Sequence, residues 1–322
     1  MNIASSALQM QPHLPHYLLE PPALRWGQFR CNDGIQLRTC SLQPAEAWAD
    51  AVLVGGFAEF IEKYFELMTD LATAGIAVWS FDWRGQGLSD RSGTHAVPRN
   101  FARDVNDLAA YANHITPRQR PRVLIAHSMG GAIGLRTLAT HPGLFDAAVL
   151  SAPMVGVSTA GLPLWLAHTI AAGGVALGFS NALIPGLAGS ALDQDIRVVD
   201  SQTSHDPIRS TLMQQWFRAN PALTVDGVSF GWYDSALRFC QSFSDLSPFR
   251  HVTTPVLLGT TGHDVFVRNG PIDDVARALP HATRRHYPDA KHELFHERDD
   301  IRTDWVNAVI TFLRSNSART NT

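Results

Sequence analysis

Val123-Leu124-Ile125-Ala126-His127-Ser128-Met129-Gly130-Gly131 carries an apolar run straight into a serine and then into small residues that open a helix. A serine on a sharp strand-to-helix turn has a crowded backbone. The residues two before and two after it must therefore be small, and its hydroxyl then stands exposed above a sheet. The helix start turns backbone N–H groups and the positive end of the helix dipole toward developing negative charge. Ala126 stands where the common Gly-X-Ser-X-Gly pattern has its first glycine. Alanine is the next smallest side chain, so the turn is expected to survive. A serine between small residues is otherwise a helix cap; the strand before and the helix after make Ser128 a candidate nucleophile.

Outward from this turn the chain alternates between strand and helix patterns. Residues 24–41 read as two short strands around the turn signal Asn32-Asp33-Gly34. Residues 51–55 form a short apolar run suited to a strand buried on both faces. Tyr64, Leu67, Met68 and Leu71 follow at helical spacing, and 76–81 is a strand ended by Asp82-Trp83-Arg84-Gly85-Gln86-Gly87. Phe101, Val105, Leu108 and Ala109 mark a one-faced helix. Strands at 123–126, 147–151, 256–259 and 283–287 are predicted, with helices at 129–140, 271–279 and 301–313. Pro271 lies just inside a helix start, where its missing N–H costs nothing. Such alternation predicts an α/β fold with a mostly parallel sheet covered on both faces.

A serine hydroxyl needs a base to take its proton, and the base needs an orienting carboxylate. After a nucleophile turn of this type, the acid and then the base follow in loops beyond later strands, where open α/β sheets bind ligands. Asp264 follows the strand at 256–259, and His292 follows the strand ending at Tyr287. The chain has 14 histidines, so order and position select His292: His286 lies within a strand, and His263 abuts the acid. Asp289, close to His292 in sequence, reads as a turn residue. Two N–H donors are needed for an oxyanion, each worth about 3 kcal/mol. Met129 and Phe57, the latter in the loop Gly55-Gly56-Phe57-Ala58-Glu59, are the candidates.

Between Ala147 and Leu192 there is no Asp, Glu, Lys or Arg. The run LPLWLAHTIAAGGVALGF from Leu162 is almost as long as the roughly 20 apolar residues a membrane span needs. His168, paired glycines and the lack of flanking basic clusters oppose a span. One or two buried helices, forming an apolar cap over a substrate pocket, explain the run more simply. The aromatic continuation through Trp216, Phe217, Phe230, Trp232 and Phe239 fits the same cap, and Trp165, Phe230 and Trp232 are candidate substrate contacts.

His292-Glu293-Leu294-Phe295-His296 matches the zinc-peptidase pattern H-E-x-x-H. That reading would make the histidines two ligands and Glu293 a general base. No His or Glu follows Glu297, Asp299 replaces the glycine of the extended motif, and the Ser128 turn would lose its purpose. No metal and no organic cofactor are expected.

The 322 residues are 45% hydrophobic and 17% charged, enough for a substantial core and unlike a disordered chain. A net charge of −3 offers no electrostatic footprint for nucleic acid. Cys31, Cys40 and Cys240 are odd in number and scattered, which suits a reducing compartment better than a disulfide framework. The N-terminus lacks a signal-peptide pattern, and a cytoplasmic chain is expected, with contact to a membrane surface through the cap as an open alternative.

These motifs together resemble the monoacylglycerol lipase and bacterial lysophospholipase branch of the α/β-hydrolases, over roughly Leu24 to Leu313. Gly55-Gly56-Phe57-Ala58-Glu59 through Tyr64 is similar to that branch's His-Gly-X-X-Glu segment, with Gly55 in place of histidine. Asp82-Trp83-Arg84-Gly85-Gln86-Gly87-Leu88-Ser89 is similar to its D-x-R-G-x-G-x-S turn, read as structural. Ala126-His127-Ser128-Met129-Gly130-Gly131 matches the bacterial form, alanine included, and Gly262-His263-Asp264 and Ala290-Lys291-His292-Glu293-Leu294 fit its acid and base loops. The resemblance implies an eight-stranded, mostly parallel sheet with helices on both faces and an inserted, mainly helical apolar cap. The expected divisions are a loose arm at 1–22, core at 23–154, cap at 155–245, core at 246–315 and a tail at 316–322. It also implies hydrolysis of an ester with one long acyl chain, such as a lysophospholipid or monoacylglycerol. A small-ester esterase, a peptidase acting on a free N-terminus and a non-catalytic binder remain alternatives on the same residues.

Overall fold

In the computed structural model, residues 14–91, 99–115, 119–159, 161–188 and 201–317 are described. They run β1 (Arg25–Arg30), β2 (Gln36–Leu42), β3 (Ala49–Val54), α1 (Phe65–Thr73), β4 (Ile76–Phe81), α2 (Phe101–His114), β5 (Arg122–His127), α3 (Ser128–Thr140) and β6 (Ala147–Ser151). An insertion follows, with α4 (Leu164–Ala176), β7 (Leu183–Ala188), α5 (Leu212–Ala219), β8 (Gly227–Ser229) and α6 (Phe230–Gln241). The chain closes with β9 (Val256–Thr261), α7 (Asn269–Ala278), β10 (Ala282–Tyr287) and α8 (Asp299–Ser317).

Eight strands form one sheet in the order β1-β2-β4-β3-β5-β6-β9-β10. The Asn32-Asp33-Gly34 hairpin makes β1 and β2 antiparallel, and β2 meets β4 antiparallel. Every pairing from β4 to β10 is parallel. Strands β3, β5, β6 and β9 are buried at every position, which is why they read as continuous apolar runs. The strand period of two splits their side chains between two cores. Val52, Val54, Leu124 and Ala126 join one with α2, α3 and α7. Ala51, Leu53, Val123 and Ile125 join the other with α1 and α8.

Trp305 of α8 is fully buried, and a methyl on Gly259 would stand 2.7 Å from its ring. The glycine in β9 is therefore the space that the indole fills. Before β1, the segment expected to be a loose arm is packed from residue 14 onward. Leu18 is only 1% exposed and joins the core beside α1; residues 1–13 lie outside the described part, as do 318–322 of the expected tail.

The uncharged insertion departs from the expectation of a buried helix. Helix α4 buries only Ala167, Ala171 and Gly174, packing on α6, while Leu164, Trp165 and Ile170 stay exposed. It covers one layer, and among the described residues nothing packs on its other side. No described helix is long and apolar enough to cross a membrane; α4 ends at Ala176 and β7 follows. Beyond the undescribed residues 189–200 the chain is tied back by Arg209, which donates to both Glu66 carboxylate oxygens at 2.6 and 2.7 Å.

Replacing Trp305 by Ala empties a fully buried ring site. It is expected to lower the unfolding free energy by about 3–5 kcal/mol. Urea unfolding followed by circular dichroism checks this: the midpoint should fall with the slope unchanged.

Candidate active site

Strand β5 ends at His127, and α3 begins on the next residue. The reversal is tight enough that Ser128 takes φ 50°, in the left-handed region that L-residues avoid. Ala58 (φ 60°) and Ala152 (φ 43°), beyond the ends of β3 and β6, are the other described non-glycine residues with positive φ. Backbone strain thus gathers at the carboxyl ends of neighbouring parallel strands, a pattern typical of functional sites.

The small residues around Ser128 are dictated by contact. A Cβ on Gly130 would lie 2.4 Å from the Gly55 carbonyl oxygen, and one on Gly131 would lie 2.9 Å from Pro153. Gly56 passes so close that its Cβ would be 3.0 Å from that of Ser128. The Ala126 methyl, in place of the common glycine, lies beside Gly134 of α3, where even an added Cβ would stand 3.7 Å away, an ordinary contact. Met154 N–H donates to the Ser128 carbonyl at 2.9 Å and fixes the turn from the β6 side.

Two loops bring the other predicted residues to this serine. His292 Nε2 is 2.9 Å from Ser128 Oγ, and His292 Nδ1 is 2.7 Å from Asp264 Oδ2. Asp264 is itself held on every side: its Oδ1 accepts from the Phe266 and Val267 amides at 2.9 Å, and its Oδ2 accepts from the Thr261 hydroxyl at 3.2 Å. Gly262 lets the two loops touch, since a Cβ there would meet the Pro288 carbonyl at 2.0 Å. Asp289, the rival carboxylate, is exposed in the turn after β10.

Burial opposes charge on both partners of the imidazole–carboxylate pair, yet mutual attraction wins. Asp264 is held below the ordinary carboxylate value by His292 and by the two amides. His292 is raised above 6.5, chiefly by Asp264. His127, its ring 4.7 Å from that of His292, behaves oppositely: burial pushes it down to about 3. Its Nδ1 lies 3.2 Å from the Ser151 carbonyl.

The remaining candidates fall into two groups. Met129 is buried in the first turn of α3, and Phe57 lies in the loop after β3 with its ring 4.1 Å from that of Trp232. Trp232 is 5% exposed, and its indole Nε1 has no hydrogen-bond partner among the described residues. Phe230 packs against Gly174 of α4. Trp165 stands apart from this group: it is 69% exposed, on the face of α4 opposite its buried alanines.

The H-E-x-x-H segment is not an α-helix. Leu294–His296 form a single 3-10 turn, so the two histidines do not share a face. His292 is engaged with Ser128 and Asp264, while His296 Nε2 meets the Lys63 carbonyl at 2.8 Å. Glu293 instead turns inward to Lys63 Nζ at 2.7 Å, and Lys63 also reaches Glu59 at 2.5 Å. Nothing in the sequence marks Lys63; four residues after Glu59, it reads as half of a solvated helix pair, and only its burial to 1% reveals otherwise.

The family described as serine aminopeptidase, S33 matches residues 45–299. The chain belongs to this family. It is 30% identical over 311 residues to lysophospholipase L2 of Escherichia coli strain K12, covering 91% of this chain and 89% of that one. It is 32% identical over 266 residues to the monoacylglycerol lipase of Mycolicibacterium smegmatis, covering 79% and 86%. A soluble variant of the Saccharomyces cerevisiae monoglyceride lipase, solved with a substrate analogue, superposes with a TM-score of 0.76 at 17% identity over 93% of this chain and 97% of that one. The S33 chain thus has the α/β-hydrolase fold expected from its residues. The Asp82 turn of this S33 member is structural, as read from sequence: Asp82 accepts from Ile61 and Leu88 amides at 2.9 Å and pairs with buried Arg38 at 2.6 Å. Gly87 is obligatory there, because a Cβ would overlap the Asp82 carboxyl group.

Two histidines 4.7 Å apart should therefore titrate very differently. In nitrogen-15 NMR, His292 is expected to keep its proton to a midpoint above pH 6.5, because a raised pKa means that the charged ring survives to higher pH. His127 should stay neutral throughout the range from pH 5 to 8. Reversed midpoints would contradict the electrostatics described.

Proposed function

We propose that this chain is a serine carboxylic-ester hydrolase acting through an acyl-enzyme at Ser128, on a lipid-like ester with a single acyl chain. The observation that carries the reading is the unbroken hydrogen-bonded line from Ser128 Oγ through His292 to Asp264. With Nδ1–H donated to Asp264, the Nε2 lone pair faces the Ser128 hydroxyl and accepts its proton as the oxygen attacks the ester carbonyl. Asp264 holds the tautomer and stabilises the imidazolium that forms. The amides of Phe57 and Met129 receive the developing oxyanion. His292 then returns the proton to the departing alcohol, and water repeats the sequence to release the acid.

The substrate class rests on two supports. The relatives described above are named for lysophospholipids and monoacylglycerols, both esters with one acyl chain. A cavity of about 280 Å³ opens between α4, α6 and α7, lined mainly by Val155, Val157, Leu164, Leu237, Phe243 and Leu246, with the polar His168, Arg268 and Asp274 beside them. Ser128 is not in its lining; Val155, which is, follows Met154, whose amide holds the Ser128 carbonyl, and we assign the cavity to the acyl chain on that proximity. Trp232 and Phe230 would flank the ester on the α6 side.

Ser128→Ala is expected to reduce kcat on a p-nitrophenyl ester by about 10³-fold or more while leaving circular dichroism unchanged; retained turnover would overturn the reading. The ratio kcat/KM should rise with pH through a midpoint above 6.5, since only neutral His292 accepts the proton and its pKa is raised. Val157→Phe should shift the preferred acyl length downward across a series of glycerol and phosphocholine esters. An unchanged length profile would remove the cavity from the account.

A further inference from the structure

Behind the proposed active site lies a second group of ionisable side chains that the reaction does not use. Glu59, His127 and Glu293 are all buried, and one ligand atom from each lies within 4.8 Å of the others. Two carboxylates and an imidazole nitrogen at such spacing are a donor set for a small cation. The cation is already present as part of the chain. Lys63 Nζ stands 2.5 Å from Glu59 Oε1 and 2.7 Å from Glu293 Oε1, with its side chain 1% exposed.

Each of these side chains belongs to a segment that carries a proposed functional group. Glu59 closes the loop after β3: its Oε2 accepts from the Gly56 amide and, at 2.5 Å, from the Tyr64 hydroxyl. That grip holds the strained turn at Ala58 and, between them, the Phe57 amide. Glu293 is the residue after His292, and His127 is the residue before Ser128. Lys63 therefore joins the oxyanion loop to the base loop from beneath.

We propose that Lys63 is a positioning residue, whose buried ammonium, shared between Glu59 and Glu293, offsets one of their two charges and so holds the Phe57 and His292 loops at their working separation. This rests on the hydrolase reading given above. The charges around the ammonium make its role a matter of balance. His127 Nε2 lies 3.8 Å from Glu59, and His296 Nδ1 lies 3.6 Å from Glu293. Both rings are pushed toward the neutral form by burial, so neither can replace the lysine. Lys63 itself stays charged, because the two carboxylates outweigh its burial. Without it, two carboxylates would face each other in a dry site, where such pairs either repel or trap a proton. A shift of about 1 Å in a reacting group can cost about 100-fold in rate.

The test is a charge cycle of Lys63→Met, Glu293→Gln and the double variant, with kcat and KM measured on a p-nitrophenyl ester between pH 5 and 9. Lys63→Met is expected to lower kcat at least about tenfold with KM changed less than about threefold. The double variant should recover at least about tenfold of that loss, because it removes the second carboxylate and returns the cluster to its wild-type net charge. A smaller loss in Lys63→Met, a loss carried by KM, or a double variant no better than Lys63→Met would overturn the proposal, since a packing role gains nothing from a second substitution. If Lys63→Met does not fold, the double variant decides: a folded, active double supports the charge offset, and an unfolded or inactive one contradicts it. Failure of the hydrolase reading would be seen separately, as a wild-type chain whose turnover survives Ser128→Ala.

Discussion

The backbone of Ser128 at φ 50° is the constraint on which the rest of this site depends. A non-glycine residue held in that region costs about 1–3 kcal/mol and persists only where its surroundings over-determine it. Here they do so from three directions. Gly130 seats α3 against the Gly55 carbonyl, Gly131 seats it against Pro153, and the Met154 amide grips the Ser128 carbonyl. The strands supplying these contacts, β3, β5 and β6, are buried at every position and paired in parallel. Rigid sheet geometry thereby sets the direction in which the Ser128 side chain leaves the turn.

Once that direction is set, the loops after β9 and β10 have little freedom. Gly262 must lie against the Pro288 carbonyl for Asp264 and His292 to meet, and Asp264 is fixed by two amides and a hydroxyl before the imidazole arrives. Beneath them, the Glu59–Lys63–Glu293 bridge connects the β3 and β10 loops. The proposed nucleophile, base and oxyanion donors therefore sit on separate segments held together by buried polar contacts as well as by the sheet.

Much of this was legible in the residues because the signals are local. Apolar runs mark strands covered on both faces, and the small residues after Ser128 mark a crowded turn. Chain order and position distinguished His292 from thirteen other histidines, and closeness to His292 marked Asp289 as a turn residue, leaving Asp264. What was not legible depends on partners distant in sequence. Lys63 and Glu293 are 230 residues apart, and neither shows by type or spacing that it is buried. The apolar composition of α4 suggested burial, but composition does not say how many layers pack on a helix; Trp165 ends 69% exposed. Residues 14–22, part of the arm read as loose, carry prolines that hide their anchors, Leu18 in the core with Leu14 packed beside it. The H-E-x-x-H match, set aside in the sequence for want of a third ligand, has no helix to carry it: the chain makes one 3-10 turn and sends Glu293 to a lysine.

The central claim is that the strained turn presents Ser128 as an activated nucleophile, and covalent capture tests it most directly. The full chain would be treated with an alkyl fluorophosphonate, followed by intact-mass measurement and peptide mapping. The account predicts a single adduct, located on Ser128 and suppressed when pH falls below the His292 midpoint. An unmodified chain, or an adduct on any other residue, would contradict it.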